Sequence, residues 1–239
     1  VPELHVLRVF VNEDGEWGNP LGVFLDGAAV PEESRQAVAA ELGFSETVFV
    51  EDRESGRVRI FTPGLELPFA GHPTVGTAWL LAREGNPVAA LQTPAGEVGV
   101  RADGERETHV AARPEWSPPL EYVELGSPAD VRALDGPPGG SEAAYAWAWI
   151  DEDAATIRAR CFIREAGIDE DEATGSAAIV LCSRLGRPIT IHQGQGSVLV
   201  VRPLDDGRVE VGGGVRLDEV RDHRLVRSPT RTRRSGAGR

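Results

Sequence analysis

Short runs of β-branched and apolar residues recur along the chain, among them "LHVLRVFV", "GVFL", "TVFVE", "RVRIFT", "AALQT", "THVAAR", "EYVEL", "YAWAWI", "IRARCFI", "ITIHQ", "SVLVV" and "RVEVGG". Gly, Pro, Asp and Asn punctuate them at hairpin-like intervals, a pattern that predicts a mainly antiparallel sheet. Helical signals are few. "VPEESRQAVAAELG" has Pro31 at its first turn, acidic residues early and Gly43 as a stop, and "SPADVRAL" has Ser127 as a cap. Two further segments, Thr74–Ala82 and Ala177–Cys182, have no charged face. A helix that is apolar all round is buried on every side. Both are too short to span a bilayer, so each is expected inside a curled sheet as a central helix.

The two apolar helices have matching surroundings. "RIFT" (Arg59–Thr62) precedes the first and "RCFI" (Arg160–Ile163) the second, and each is followed by a helix entry of small residues. A spacing of about a hundred residues is the mark of a duplication. The expected fold is α+β, with two pseudo-repeated, mainly antiparallel β-roll domains, each wrapped around a central buried helix. We place the domains at residues 1–113 and 118–227, with the last strand free to return to the first domain and a seam in the Pro-rich Ala112–Glu121. Residues 228–239 are polar, basic and Gly-containing, and are expected to be disordered.

Composition narrows the chemistry. With 239 residues, 41% of them apolar, the chain has enough material for a sizeable core. A formal charge of -13 argues against nucleic acid and anionic membrane as partners, because both are held by basic patches, and leaves a small soluble ligand. Cys161 and Cys182 have neither metal nor redox spacing and form no disulfide framework, which suits a reducing compartment. With no apolar run of about 18 residues and no basic-then-apolar leader, the expected location is cytoplasmic. All 25 basic residues are arginine, so Schiff-base chemistry has no amine to work with. His5, His72, His109, His192 and His223 lack zinc-type pairing, there is no GxSxG elbow, and "VGGGV" around Gly213 reads as a hairpin feature.

The segment "ELPFAGHPTVGTAWLL" puts an imidazole at the mouth of the first apolar helix. The first N–H groups of a helix lack partners and its dipole is positive there, so an anion binds without a basic side chain. Both helix entries, "AGHPT" and "EATGSA", are built of small residues that let a ligand approach the backbone.

Four motifs in order, "GNPLGVF", "SETVFV", "FTPGLELPFAGHPTVG" and "EDEATGSA", give the chain a resemblance to the PhzF family, phenazine-biosynthesis isomerase-like proteins with the diaminopimelate epimerase fold. The resemblance runs from about residue 3 to about residue 220. It implies two β-rolls with the active site between them, homodimers, and acid–base catalysis without cofactor or metal, in which the family's isomerase moves a proton on trans-2,3-dihydro-3-hydroxyanthranilate. Carried over by motif, Glu46 is the proton-shuttling acid/base, while His72, Asp171 and Ser176 position and polarise the substrate. Backbone N–H groups near Gly71, His72, Gly175 and Ser176 are then placed to hold an anionic group. The chain departs from the family pattern at Glu172, where the family has proline, which adds negative charge beside Asp171 and is expected to loosen the approach to the helix. It is also shorter than typical members.

Each residue also has a plainer reading: Glu46 as a polar strand start, His72 as a helix cap, Asp171 as part of a solvated acidic loop, Ser176 as a small entry residue. The motifs together favour the chemical roles for Glu46, His72 and Asp171, whereas Asn19, beside Pro20, is read as shaping a turn. Two rivals stand beside the isomerase reading. One is a two-thiol racemase or epimerase, disfavoured because both cysteines lie in the second half, where buried thiols pack as small hydrophobes. The other is a non-catalytic ligand-binding protein of the same fold.

Overall fold

The structure, a computed structural model, describes residues 1–164 and 168–223, so the tail expected to be disordered lies outside the described residues. In chain order the elements of the first half are β1 (Glu3–Val11), β2 (Asn19–Phe24), α1 (Glu32–Leu42), β3 (Glu46–Asp52), β4 (Arg57–Phe61), β5 (Glu66–Leu67), α2 (Gly71–Arg83), β6 (Ala90–Thr93), β7 (Gly96–Asp103) and β8 (Glu107–Ala112). The second half follows with β9 (Glu121–Glu124), α3 (Pro128–Arg132), β10 (Ala143–Asp151), β11 (Thr156–Ile163), β12 (Ile168–Asp171), α4 (Gly175–Leu185), β13 (Ile189–Gln193), β14 (Ser197–Pro203) and β15 (Val209–Asp222). The predicted helices all form. Gly43 ends α1 in the left-handed conformation that glycine adopts without steric cost, and the Ser127 side chain accepts from Asp130 N at the start of α3.

The strands run β1-β2-β3-β4-β6-β7-β8-β15, and β15 pairs back onto β1, so the first eight close into a roll. From β15 the sheet continues through β14, β13, β11, β10 and β9. β15 therefore belongs to both halves. Most pairs are antiparallel, but β2–β3, β4–β6, β9–β10 and β11–β13 are parallel. A parallel pair needs a crossover, and here α1, α2, α3 and α4 lie in those crossovers.

The halves repeat the same order: a hairpin, a short strand folding back on it, a buried helix, a strand parallel to the hairpin's second member, then another hairpin. α2 packs against β1, β2, β3, β7, β8 and β15, and α4 against β14 and β15. Gly76 brings α2 close to the wall, since a Cβ there would lie 2.6 Å from Leu21 and 2.7 Å from Val9. Val75, Leu80 and Leu81 of α2 are fully buried, each contributing about 1.5–3 kcal/mol of burial. Leu80→Ala is the single change that would most directly hollow this core.

"VGGGV" lies within β15, the second strand of the β14–β15 hairpin, where that strand is also flanked by β8 and β1. A Cβ on Gly213 would meet Val198 O at 2.8 Å, and one on Gly214 would meet Val11 O at 3.0 Å, so close backbone approach explains the glycines. Among the described residues no helix is long and apolar enough to cross a membrane.

Candidate active site

The two central helices begin against each other. A Cβ on Gly71 would stand 2.7 Å from Gly175 Cα and 2.8 Å from Ser176 N, and one on Gly175 would stand 3.2 Å from His72 N. Only glycine permits this approach. Neither helix start is capped by the side chain of its N-cap residue, Ala70 or Thr174, so two positive helix ends converge with free N–H groups.

Around this junction the structure gathers residues distant in sequence. Glu46 opens β3, His72 is the second residue of α2, and Asp171 ends β12 four positions before α4. His72 Nε2 lies 3.4 Å from Glu46 Oε2. Asn19 Nδ2 donates to Asp171 Oδ1 at 2.7 Å and to Ala173 O at 2.9 Å, and stands 3.4 Å from His72 Nδ1. Ser45 Oγ donates to Asn19 Oδ1 at 3.1 Å. Ser176, Gly71 and Gly175 are buried at the same helix entries.

Burial sets the electrostatics. It pushes the Glu46 carboxyl well above the usual carboxylate range, helped by the Asp171 charge and opposed by the Ser45 hydroxyl. It also raises Asp171, against hydrogen bonds from Thr174 and Asn19. His72 falls to about 3, again through burial, with a backbone hydrogen bond at Pro20 working the other way. Burial thus turns both partners of the His72–Glu46 approach toward their neutral forms, which works against an ion pair. Glu46 Oε2 and His72 Nε2 are both buried and without hydrogen-bond partners among the described residues. A buried polar group left unpaired costs about 1–3 kcal/mol, and such groups in a native site call for a missing partner.

Three residues were misjudged or missed from sequence. Asn19 does more than shape a turn, because its amide ties Asp171 to the first half. It is aimed by Trp17 and Gly18, both in the left-handed region at φ 63 and 83. Gln193 is fully buried and donates to Asp171 O at 3.0 Å and Thr174 Oγ1 at 2.9 Å, while its Oε1 accepts from Tyr145 OH and Thr174 N. Glu172 fastens rather than loosens. Its carboxylate accepts from Gln195 N at 2.9 Å and from Ser197 Oγ at 2.8 Å, locking the β13–β14 turn, and Gly18 N in turn donates to Ser197 Oγ at 3.1 Å.

Cys161 lies in β11 opposite Asp171 and beside Thr174, Cys182 lies within α4, and burial raises both thiols, Cys182 to about 12. A thiol held protonated is a poor base. A cavity of about 670 Å³ opens elsewhere, by the β1–β2 turn and β14–β15, and neither Glu46, His72 nor Asp171 lines it. Among the described residues, the grouping of His, Asp and Glu atoms near enough to share a metal ion is on the β7–β8 hairpin and not here.

Comparison with known proteins agrees with this architecture. A family model described as phenazine biosynthesis-like protein, PhzC-PhzF, matches residues 8–137. Trans-2,3-dihydro-3-hydroxyanthranilate isomerase of Pseudomonas fluorescens is 31% identical over 234 residues, covering 80% of this chain and 82% of that protein. The chain belongs to the PhzF family. A crystal structure of a Bacillus anthracis PhzF-family protein superposes with a TM-score of 0.73 at 20% identity, covering 92% of this chain and 97% of that one. A probable proline racemase from Agrobacterium radiobacter, at TM-score 0.62 and 10% identity over 95% and 94% of the two chains, shares the fold. The PhzF relatives that match over most of the chain are isomerases, and the fold class expected from the resemblance is the one observed.

Proposed function

We propose that this PhzF-family protein is a cofactor-independent isomerase that relocates a proton on a small, carboxylate-bearing substrate. The observation that carries the reading is the buried meeting of Glu46 and His72 from the first half with Asp171 from the second, where the facing atoms of Glu46 and His72 await a partner. In its ionised form Glu46 is a strong base for a carboxylate, because burial raises its proton affinity, and once protonated it returns the proton to another carbon. The opposed starts of α2 and α4 hold the substrate carboxylate and the charge that develops as the proton leaves. Neutral His72 donates or accepts a hydrogen bond without adding charge, and Asp171, fixed by Asn19, Thr174 and Gln193, orients a polar group of the substrate.

The substrate named for the Pseudomonas fluorescens relative, trans-2,3-dihydro-3-hydroxyanthranilate, is a ring carboxylate and so the first compound to test. The experiment is uptake of solvent deuterium into that compound and into a panel of cyclic and amino acids, comparing native protein with Glu46→Gln. Uptake by the native protein and its loss in the variant is the expected result; equal uptake by both would remove Glu46 from the role.

A further inference from the structure

We propose that Asp103, Glu107 and His109, on the β7–β8 hairpin, form a binding site for one divalent transition-metal ion of the zinc type. The register of the hairpin pairs Asp103 with Glu107 and Arg101 with His109, so alternation along the strands brings all four side chains to one face. Like charges directly opposite each other destabilise a strand pair. Asp103 and Glu107 are such a pair, flanking the turn that contains left-handed Gly104.

The buried imidazole supplies the independent evidence. His109 is only 4% exposed, yet its Nε2 is buried with no hydrogen-bond partner among the described residues and points at Glu107 Oε2, 3.7 Å away. The facing ligand atoms of all three residues lie within 4.8 Å of one another. Two ligands of one tetrahedral zinc ion, each bound at about 2.0–2.2 Å, sit roughly 3.4 Å apart, so the two exposed carboxylates need to swing in by about 1 Å.

A carboxylate also stands behind the ring. Its Nδ1 is 3.7 Å from Glu210 Oε1, and Glu210 is itself buried and fixed by Arg101 (2.8 and 3.1 Å) and Arg202 (2.7 Å). Gly212 makes room for the imidazole, since a Cβ there would fall 2.2 Å from Nδ1. At 3.7 Å Glu210 does not hydrogen-bond the ring, but a small closure would give the carboxylate–imidazole pairing that orients metal-binding histidines. Arg101 Nη1 donates to Asp103 Oδ2 at 2.9 Å, which leaves Oδ1 for an ion. One imidazole nitrogen with two carboxylate oxygens suits zinc and its neighbours, whereas calcium and magnesium prefer oxygen alone.

The test is calorimetric titration of the whole protein with zinc chloride, with magnesium chloride as control. The expected result is one zinc site that magnesium does not fill. It should be lost in His109→Ala and weakened at least about tenfold in the Asp103→Asn/Glu107→Gln double variant. The double variant alters exposed turn residues and leaves the buried imidazole in place, so it keeps the fold and the deuterium exchange of the native protein. Absence of zinc binding by the native protein, or a double variant that binds with less than a tenfold loss, would overturn the site.

Discussion

β5 and β12 occupy the same place in their respective halves: each pairs back onto the strand before it and ends four residues ahead of a central helix. Yet β5 ends on Leu67 and β12 on Asp171, the helices carry His72 and Ser176 at their second positions, and β3 opens on Glu46 where β10 opens on Ala143. The backbone duplication supplies two converging helix ends of the same polarity. In the proposed isomerase the side chains divide the labour, with a proton carrier and an imidazole on one side and an anchoring carboxyl on the other. On that proposal symmetry builds the cradle, and asymmetry gives it acid–base chemistry.

Substitutions that touch one half at a time separate these contributions. The largest expected effect is at Glu46. Glu46→Gln should lower proton exchange by about 10²–10⁴-fold while leaving the fold intact. It should also raise the melting temperature, increasingly so at alkaline pH. The sign follows from linkage: a carboxyl whose pKa is higher folded than unfolded binds more protons in the folded state. Its contribution to stability is full at low pH and is lost as pH climbs through the raised value. Glutamine has no charge to bury, so that loss disappears; a variant melting like the native protein at every pH would contradict the raised value.

Next comes the contact between the helices. Gly71→Ala places a Cβ against immovable backbone and should cost about 1–3 kcal/mol in urea unfolding. Gly175→Ala, whose Cβ has 3.0 Å to its nearest neighbour instead of 2.7 Å, should cost less. Equal effects would mean that the junction relaxes freely. Gln193→Ala orphans Asp171 O, Thr174 and Tyr145 OH within the second half and should cost about 2 kcal/mol, with exchange reduced because Asp171 loses its support. The smallest effect is expected from Glu172→Ala, about 1 kcal/mol, because the turn that its carboxylate ties is partly exposed.

Local pattern carried much of this fold. The uncharged runs at Thr74–Ala82 and Ala177–Cys182 identified both central helices, since nothing but a fully enclosed position accommodates them. β5 and β12 are too short to leave a periodic trace, and β7, "GEVGVRAD", has just Val98 and Val100 as large apolar residues. The parallel pairs stayed hidden because they join strands across a helical crossover that no local signal describes. Within the site, Glu46, His72, Asp171 and Ser176 were legible through motif order. Asn19 and Gln193 were not, because an amide's role is set by its neighbours in space, and Asn19 meets Asp171 across 152 residues of chain.

The central claim is that carboxyls from the two halves share one buried site and feel each other's charge. Carbon-13 titration of the Glu46 carboxyl in the native protein and in Asp171→Asn measures that directly. The account predicts a Glu46 pKa far above an ordinary carboxyl in the native protein and a clear fall when the Asp171 charge is removed. An ordinary Glu46 pKa, or a raised one that ignores the loss of Asp171, would contradict it.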